Sequence, residues 1–167
     1  DYVWRRQLAA YFTRVAAYAS ADVTTPTMVP MAVGFADMSG FTTLTRRATE
    51  AELGEVLEAF EALTTEVVGA HSGQIIKTIG DEVLFIADTP ADCALLALEL
   101  IDRAEGTDGV PPLRIGLAAG PVVTRLGDIY GSTVNVASRL TTLSRPGWIL
   151  VDRGMADALE QDERFGL

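Results

Sequence analysis

The sequence predicts an α+β domain whose sheet is mostly antiparallel. Three observations carry the prediction. Apolar runs and amphipathic stretches follow one another as strand, helix, strand, strand, helix, strand. The second and third strands flank a tight Gly80-Asp81-Glu82 turn, a hairpin signature. The chain has 167 residues, 49% hydrophobic and 22% charged, which fits one folded domain with a sizeable core. This βαββαβ order is that of a ferredoxin-like core, with helices packed on one face of the sheet.

The elements follow in order. Between Tyr2 and Tyr18, Val3, Leu8, Tyr11, Phe12 and Val15 recur at helical spacing with Arg5, Arg6 and Arg14 between them, an amphipathic helix. Thr24 to Pro30, with two prolines, reads as a linker. Met31 to Ala36 reads as a buried strand. Glu50 to Ala70 places Leu53, Val56, Leu57, Phe60, Leu63, Val67 and Val68 on one helical face, and Gly73 ends the pattern. Gln74–Ile79 and Val83–Ala87 are the hairpin strands. Pro90 opens a helix to about Ala104, proline suiting a first turn. Leu113–Ala119 and Val122–Leu126 read as two strands split by Gly120-Pro121. A helix from Thr133 to Leu143, a strand from Trp148 to Val151 and a short helix from Arg153 to Glu160 complete the pattern.

The formal net charge of −10 argues against a general nucleic-acid-binding surface, so no nucleic-acid partner is expected. An acidic chain that binds a nucleotide must supply cations locally, as metals or as a few placed Lys and Arg. Cys93 is the single cysteine, within an apolar helical stretch, and reads as a buried small hydrophobe. The absence of disulfide pairing fits a cytoplasmic setting. No apolar run is long enough to span a bilayer and no signal peptide is visible. An anchor or regulatory domain outside this stretch stays open.

Two carboxylates stand where apolar strands end. Asp37 follows Val33-Gly34-Phe35-Ala36, and Asp81 sits at the tip of the hairpin. If the first strand lies beside the hairpin, both reach one point, where hard oxygen ligands suit Mg²⁺ or Mn²⁺ with positions left for water and phosphate. Alone, Asp37 reads as well as a helix N-cap and Asp81 as a turn former. The stretch Met38-Ser39-Gly40-Phe41-Thr42-Thr43 shifts the balance, because a helix starting there offers backbone amides to a polyphosphate. His71, the only histidine, falls at a helix end and reads as a solvated or capping residue, so a histidine-based hydrolase triad is not expected.

With these motifs in order, and with Gly131-x-x-Val134-Asn135-x-Ala137-Ser138-Arg139 downstream, the chain resembles the class III nucleotidyl cyclase catalytic domain, bacterial type, from about Met31 to Leu159. The resemblance implies a cyclase homology domain at 31–167, incomplete at its C-terminal end, behind an N-terminal helix and linker at 1–30. It implies an adenylate cyclase that converts ATP to cyclic AMP and pyrophosphate. Asp37 and Asp81, with the Met38 carbonyl, would hold two metal ions per site, Mg²⁺ or Mn²⁺. Ser39, Gly40, Phe41 and Thr42 would line the phosphates, Asn135 would orient the ribose, and Arg139 would meet the charge on the transferring phosphoryl group. Lys77 and Asp128 fall at the purine-selecting positions. A lysine donor and an aspartate acceptor complement adenine N1 and N6, whereas guanine reverses both. In the family the metal ligands come from one subunit, and the base-selecting pair and the Asn/Arg pair from its partner, which implies a head-to-tail homodimer with a second copy of the chain.

One departure stands out: no lysine follows Lys77, whereas the family places a phosphate-binding lysine near the end of the domain. A catalytically silent nucleotide-binding or dimerisation module is the alternative from another class. A diguanylate cyclase is disfavoured, because Ile79 precedes Gly80 where that family has a second glycine.

Overall fold

The computed structural model describes residues 27–165, so the helix expected at Tyr2–Tyr18 lies outside the described residues. The elements run β1 (Thr27–Met38), α1 (Phe41–Thr45), α2 (Glu50–Ala70), β2 (Gln74–Ile79), β3 (Glu82–Ala87), α3 (Pro90–Glu105), β4 (Leu113–Arg125), β5 (Asp128–Tyr130), α4 (Ser132–Leu143), β6 (Ile149–Val151) and α5 (Arg153–Glu160), with a 3₁₀ turn at Glu163–Phe165. The sheet order is β2-β3-β1-β4-β5, with β6 on β4. β1 pairs antiparallel with β3 and β4, β2 antiparallel with β3, and only β6 joins in parallel. The ferredoxin-like βαββαβ core is therefore present, with β1 and β3 as its central strands.

Local chemistry explains the helix starts. Thr49 and Glu52 form a capping box on α2: the Thr49 hydroxyl accepts from the Glu52 amide at 3.2 Å, and the Glu52 carboxylate accepts from the Thr49 amide at 2.7 Å. Thr89 caps α3 by accepting from the Asp92 amide at 3.1 Å, one residue before Pro90. Asp152 caps α5, accepting from the Met155 amide at 2.8 Å.

Strand alternation sends the two faces of β1 into different cores. Ala32, Ala36 and Met38 pack with Phe60, Leu63 and Val67 of α2, Leu96 and Leu100 of α3, and Met155 of α5. Val33 and Phe35 pack with Leu84, Ile86, Ala118, Val122, Ile129 and, from α4, Ala137. So α4 covers the face opposite the other long helices, where the sequence pattern had placed all helices together. Two glycines of β4 permit its approach. A Cβ on Gly116 would stand 2.4 Å from the Ala137 carbonyl oxygen and the Thr141 amide nitrogen, and one on Gly120 would stand 2.7 Å from the Thr133 hydroxyl. Thr141 adds a hydroxyl bond to the Phe35 carbonyl at 3.3 Å.

Three expectations change. β1 begins at Thr27, so Thr27–Pro30 are strand and not linker, and it runs on through Asp37. β4 is one strand: Pro121 lies opposite Pro30, and β3 and β5 pair only from Ala32 and Val123, so neither outer neighbour needs the missing amides. β5 was not foreseen. Its turn has φ 52 at Leu126 and φ 78 at Gly127, the two positive values a type I′ hairpin requires, and a leucine in place of the usual Asn or Asp hid that signal.

Gly116→Ala is expected to lift α4 off β4 and destabilise the fold by about 1–3 kcal/mol, read from denaturant unfolding midpoints.

Candidate active site

β1 ends between two charged neighbours. Asp37 lies opposite Glu82 of β3 on one side and opposite Arg114 of β4 on the other. Gly80 has φ 60 at the first position of the two-residue β2–β3 turn, a conformation glycine adopts freely. The carbonyl of Asp81, the second turn residue, accepts from the Met38 amide at 3.1 Å and ties the hairpin tip to the end of β1. The sequence-predicted pair, Asp37 and Asp81, is thereby brought together, with Met38 between them in the chain. The N-cap alternative for Asp37 does not hold, since it is a strand residue and Gly40, φ 71, precedes α1 without a side-chain cap.

Burial pushes the Asp37 carboxyl above its ordinary range. The hydrogen bond from Arg114 Nη2 opposes that shift, and the adjacent Asp81 carboxylate adds to it. Glu82 is raised too, by burial first and then by Asp37 and Asp81, with Arg114 opposing. Among the described residues no group of three or more His, Cys, Asp or Glu side chains forms a metal cage. Two carboxylates are the donor set a hard cation uses when it shares its remaining positions with water and substrate phosphate, so Mg²⁺ or Mn²⁺ fits Asp37 and Asp81. Two buried polar atoms at this end, Arg114 Nε and Ser39 Oγ, lack a hydrogen-bond partner among the described residues. Both suit an anionic oxygen.

The loop after β1 contributes less than its sequence suggests. The Ser39 amide already donates to the Pro112 carbonyl at 2.9 Å, so only its hydroxyl is open to a ligand. Gly40 turns the chain, and Phe41 and Thr42 form the first turn of α1, whose leading amides have no intrahelical acceptor.

Lys77 and Asp128 meet although β2 and β5 lie at opposite ends of the sheet order. Lys77 Nζ donates to Asp128 Oδ2 at 2.7 Å. The sheet curls over the face bearing Val33 and Leu84, and a register shift in β2 between Ile75 and Lys77 adds local twist. Asp128 is held below its ordinary carboxyl range by Lys77 first, then by the Ile129 amide, which donates to Oδ1 at 2.8 Å. Asn135 and Arg139 share the exposed face of α4, four residues apart. Neither side chain hydrogen-bonds to the Asp37 cluster or to the Lys77–Asp128 pair among the described residues.

Two residues of this end escaped sequence reasoning. Arg114 and Glu82 join the cluster through strand register, which motifs do not reveal; the one available signal was a charge, Arg114, inside the apolar run Leu113–Leu117. His71 is the C-cap of α2, as the sequence reading allowed, and its ring separately hydrogen-bonds to Glu99 of α3. Cys93 is fully buried, its thiol pushed up to about 12 by desolvation. No helix among the described residues is long and apolar enough to cross a membrane.

The Lys77–Asp128 pair gives a stability prediction. A carboxyl whose pKa is lowered by folding stabilises fully above its unfolded value and loses that contribution as pH falls through the lowered one. A Lys77→Met, Asp128→Asn double-mutant cycle should give a coupling of ~0.2–1 kcal/mol at neutral pH that vanishes in acid, measured by urea unfolding.

The family model for the adenylate and guanylate cyclase catalytic domain matches residues 23–167. The chain is 48% identical over 158 residues to an adenylate cyclase of Streptomyces coelicolor, covering 95% of this chain and 41% of that protein. It is 42% identical over 178 residues to an adenylate cyclase of Glutamicibacter nicotianae, covering 99% and 44%. The chain thus spans about two fifths of the length of these relatives. The solved structure of an adenylate/guanylate cyclase/hydrolase from Silicibacter pomeroyi superposes with a TM-score of 0.73 at 30% identity, over 83% of each chain. With the family model matched over nearly the whole sequence, a relative at 48% identity across 95% of the chain and the same fold in a solved cyclase, the chain belongs to the adenylate and guanylate cyclase catalytic domain family.

Proposed function

We propose that the chain is the catalytic domain of an adenylyl cyclase that converts ATP to 3′,5′-cyclic AMP and pyrophosphate. The observation that carries this reading is the meeting of Asp37 and Asp81 beside Arg114 at the end of the sheet. Asp37 and Asp81, with the Met38 carbonyl, would hold two divalent cations, Mg²⁺ or Mn²⁺. Such cations, when bound, lower the pKa of a ribose hydroxyl and neutralise triphosphate charge. Cation binding would compete with Arg114 for Asp37 and free the guanidinium to meet a phosphate oxygen, which also accounts for its unpartnered Nε. The Ser39 hydroxyl and the first amides of α1, at Gly40, Phe41 and Thr42, would contact the phosphates.

Lys77 and Asp128 would read the base, the ammonium donating to adenine N1 and the carboxylate accepting from the N6 amino group. Their pairing at 2.7 Å supports one shared recognition site, where a base presenting an acceptor beside a donor would exchange the ion pair for two hydrogen bonds. Guanine would leave both groups mismatched, at ~1–3 kcal/mol for each buried polar group left unsatisfied. Asn135 would orient the ribose, and Arg139 would stabilise the charge that builds on the transferring phosphoryl group. Both are exposed, and neither side chain has a hydrogen bond or ion pair among the described residues. That supports composite sites in a head-to-tail homodimer, each helix α4 serving the partner's carboxylates.

The test is cyclic AMP formation from ATP with Mn²⁺. Asp37→Ala, Asp81→Ala, Asn135→Ala and Arg139→Ala are each expected to lower kcat about 10²-fold or more. Mixing the dead Asp37→Ala and Arg139→Ala chains should restore part of the activity, since one site of the mixed dimer stays intact. No recovery in a proven heterodimer would rule out the shared site. Tight ATP binding without product would instead assign the chain to a silent signalling module. Because the Asp37 carboxyl titrates above its ordinary range, protons should displace the cation at a higher pH than they would from an exposed aspartate. Mn²⁺ titrations across the acidic range should show affinity falling as pH drops through that raised value.

A further inference from the structure

We propose that Glu82 is a positioning residue for the cation site: a third carboxylate that holds a divalent ion's water shell and raises cation affinity before nucleotide arrives. The inference rests on the cation reading of Asp37 and Asp81 above. Glu82, Asp37 and Arg114 form one row across β3, β1 and β4, each outer residue directly opposite Asp37. Opposed residues on antiparallel strands share a face, with Cβ atoms roughly 4.5–5.5 Å apart. Like charges placed so are destabilising, and a row needed only for stability would alternate in sign.

The charges do not balance. Asp37 and Glu82 share one guanidinium, Arg114, and Asp81 stands beside both carboxyls, so negative charge is in excess. Arg114 gives its hydrogen bond to Asp37, and among the described residues Glu82 has Coulombic neighbours only. Glu82 is half-buried, so water screens its charge only in part. A divalent cation supplies the missing charge.

Direct ligation is not the route, because no three acidic side chains among the described residues form a cage. A small hard cation keeps several waters, and a carboxylate beside those waters orients them and adds attraction. Losing such an outer partner typically weakens metal binding about 10- to 100-fold.

The experiment measures free Mn²⁺ by electron paramagnetic resonance with the full chain, first with Mn²⁺ alone and then with a non-hydrolysable ATP analogue. Glu82→Gln should weaken Mn²⁺ binding without nucleotide about 10-fold or more, while Glu82→Asp keeps most of it. With chelator present, the thermal midpoint of Glu82→Gln should equal or exceed that of the unsubstituted chain. Unchanged Mn²⁺ affinity in Glu82→Gln overturns the proposal; if Asp37→Asn and Asp81→Asn lose the ion in the same series, the cation reading survives alone. If the unsubstituted chain retains no Mn²⁺ even with the analogue, both fall. Should Glu82→Gln not fold, Glu82→Thr, which favours strands, gives the same measurement. Failure of both to fold with chelator present overturns the proposal by making the residue structural.

Discussion

A carboxylate at the end of a central strand is the constraint around which this domain is organised. Asp37 is on β1, which pairs on both sides, so its carboxyl is drawn out of water by the strands that flank it. Burial alone favours the protonated form. Arg114 works against that from β4, while Asp81 reinforces it from the hairpin. The charged state is therefore costly in the free protein, and a bound cation would relieve that cost. Under the proposed cation role, stability and function would pull in opposite directions at this end of the sheet.

The rest of the fold holds that end in place. Apolar side chains of α2, α3 and α5 fill one face, and their burial supplies the main driving force. The opposite face has to admit α4 closely and still leave part of the helix exposed. Gly116 and Gly120 achieve the first, since side chains there would meet the helix directly. Asn135 and Arg139 on the outward side achieve the second. The curl that brings β2 to β5 then places Lys77 on Asp128, an ion pair between the two outer strands of the main sheet order.

Much of the site was legible because its groups lie in short motifs. Asp37 and Met38 through Thr42 are contiguous, Lys77 and Asp81 share one hairpin, and Asn135 and Arg139 share one helix turn. Local rules such as turn chemistry, helix period and capping boxes act over a few residues and leave their mark on sequence. Arg114 and Glu82 were not legible, because their link to Asp37 is a register between strands far apart in the chain. β5 escaped for a different reason: Leu126 adopts a positive φ in a turn where Asn or Asp would have announced it. Pro30 and Pro121 misled in the other direction, reading as breaks while lying opposite each other in a continuous ladder.

By itself the sequence determined the long helices, the hairpin and the βαββαβ order, and it marked the motif residues of the candidate site. These follow from apolar period and turn preference, which are properties of neighbours in the chain. Only the tertiary structure decided that α4 covers the opposite face, that Ser39 spends its amide on Pro112, and that Lys77 reaches Asp128. It alone set Asp37 between a second carboxylate and a guanidinium. Those outcomes depend on strand register and sheet curvature, and both are fixed by packing over the whole domain.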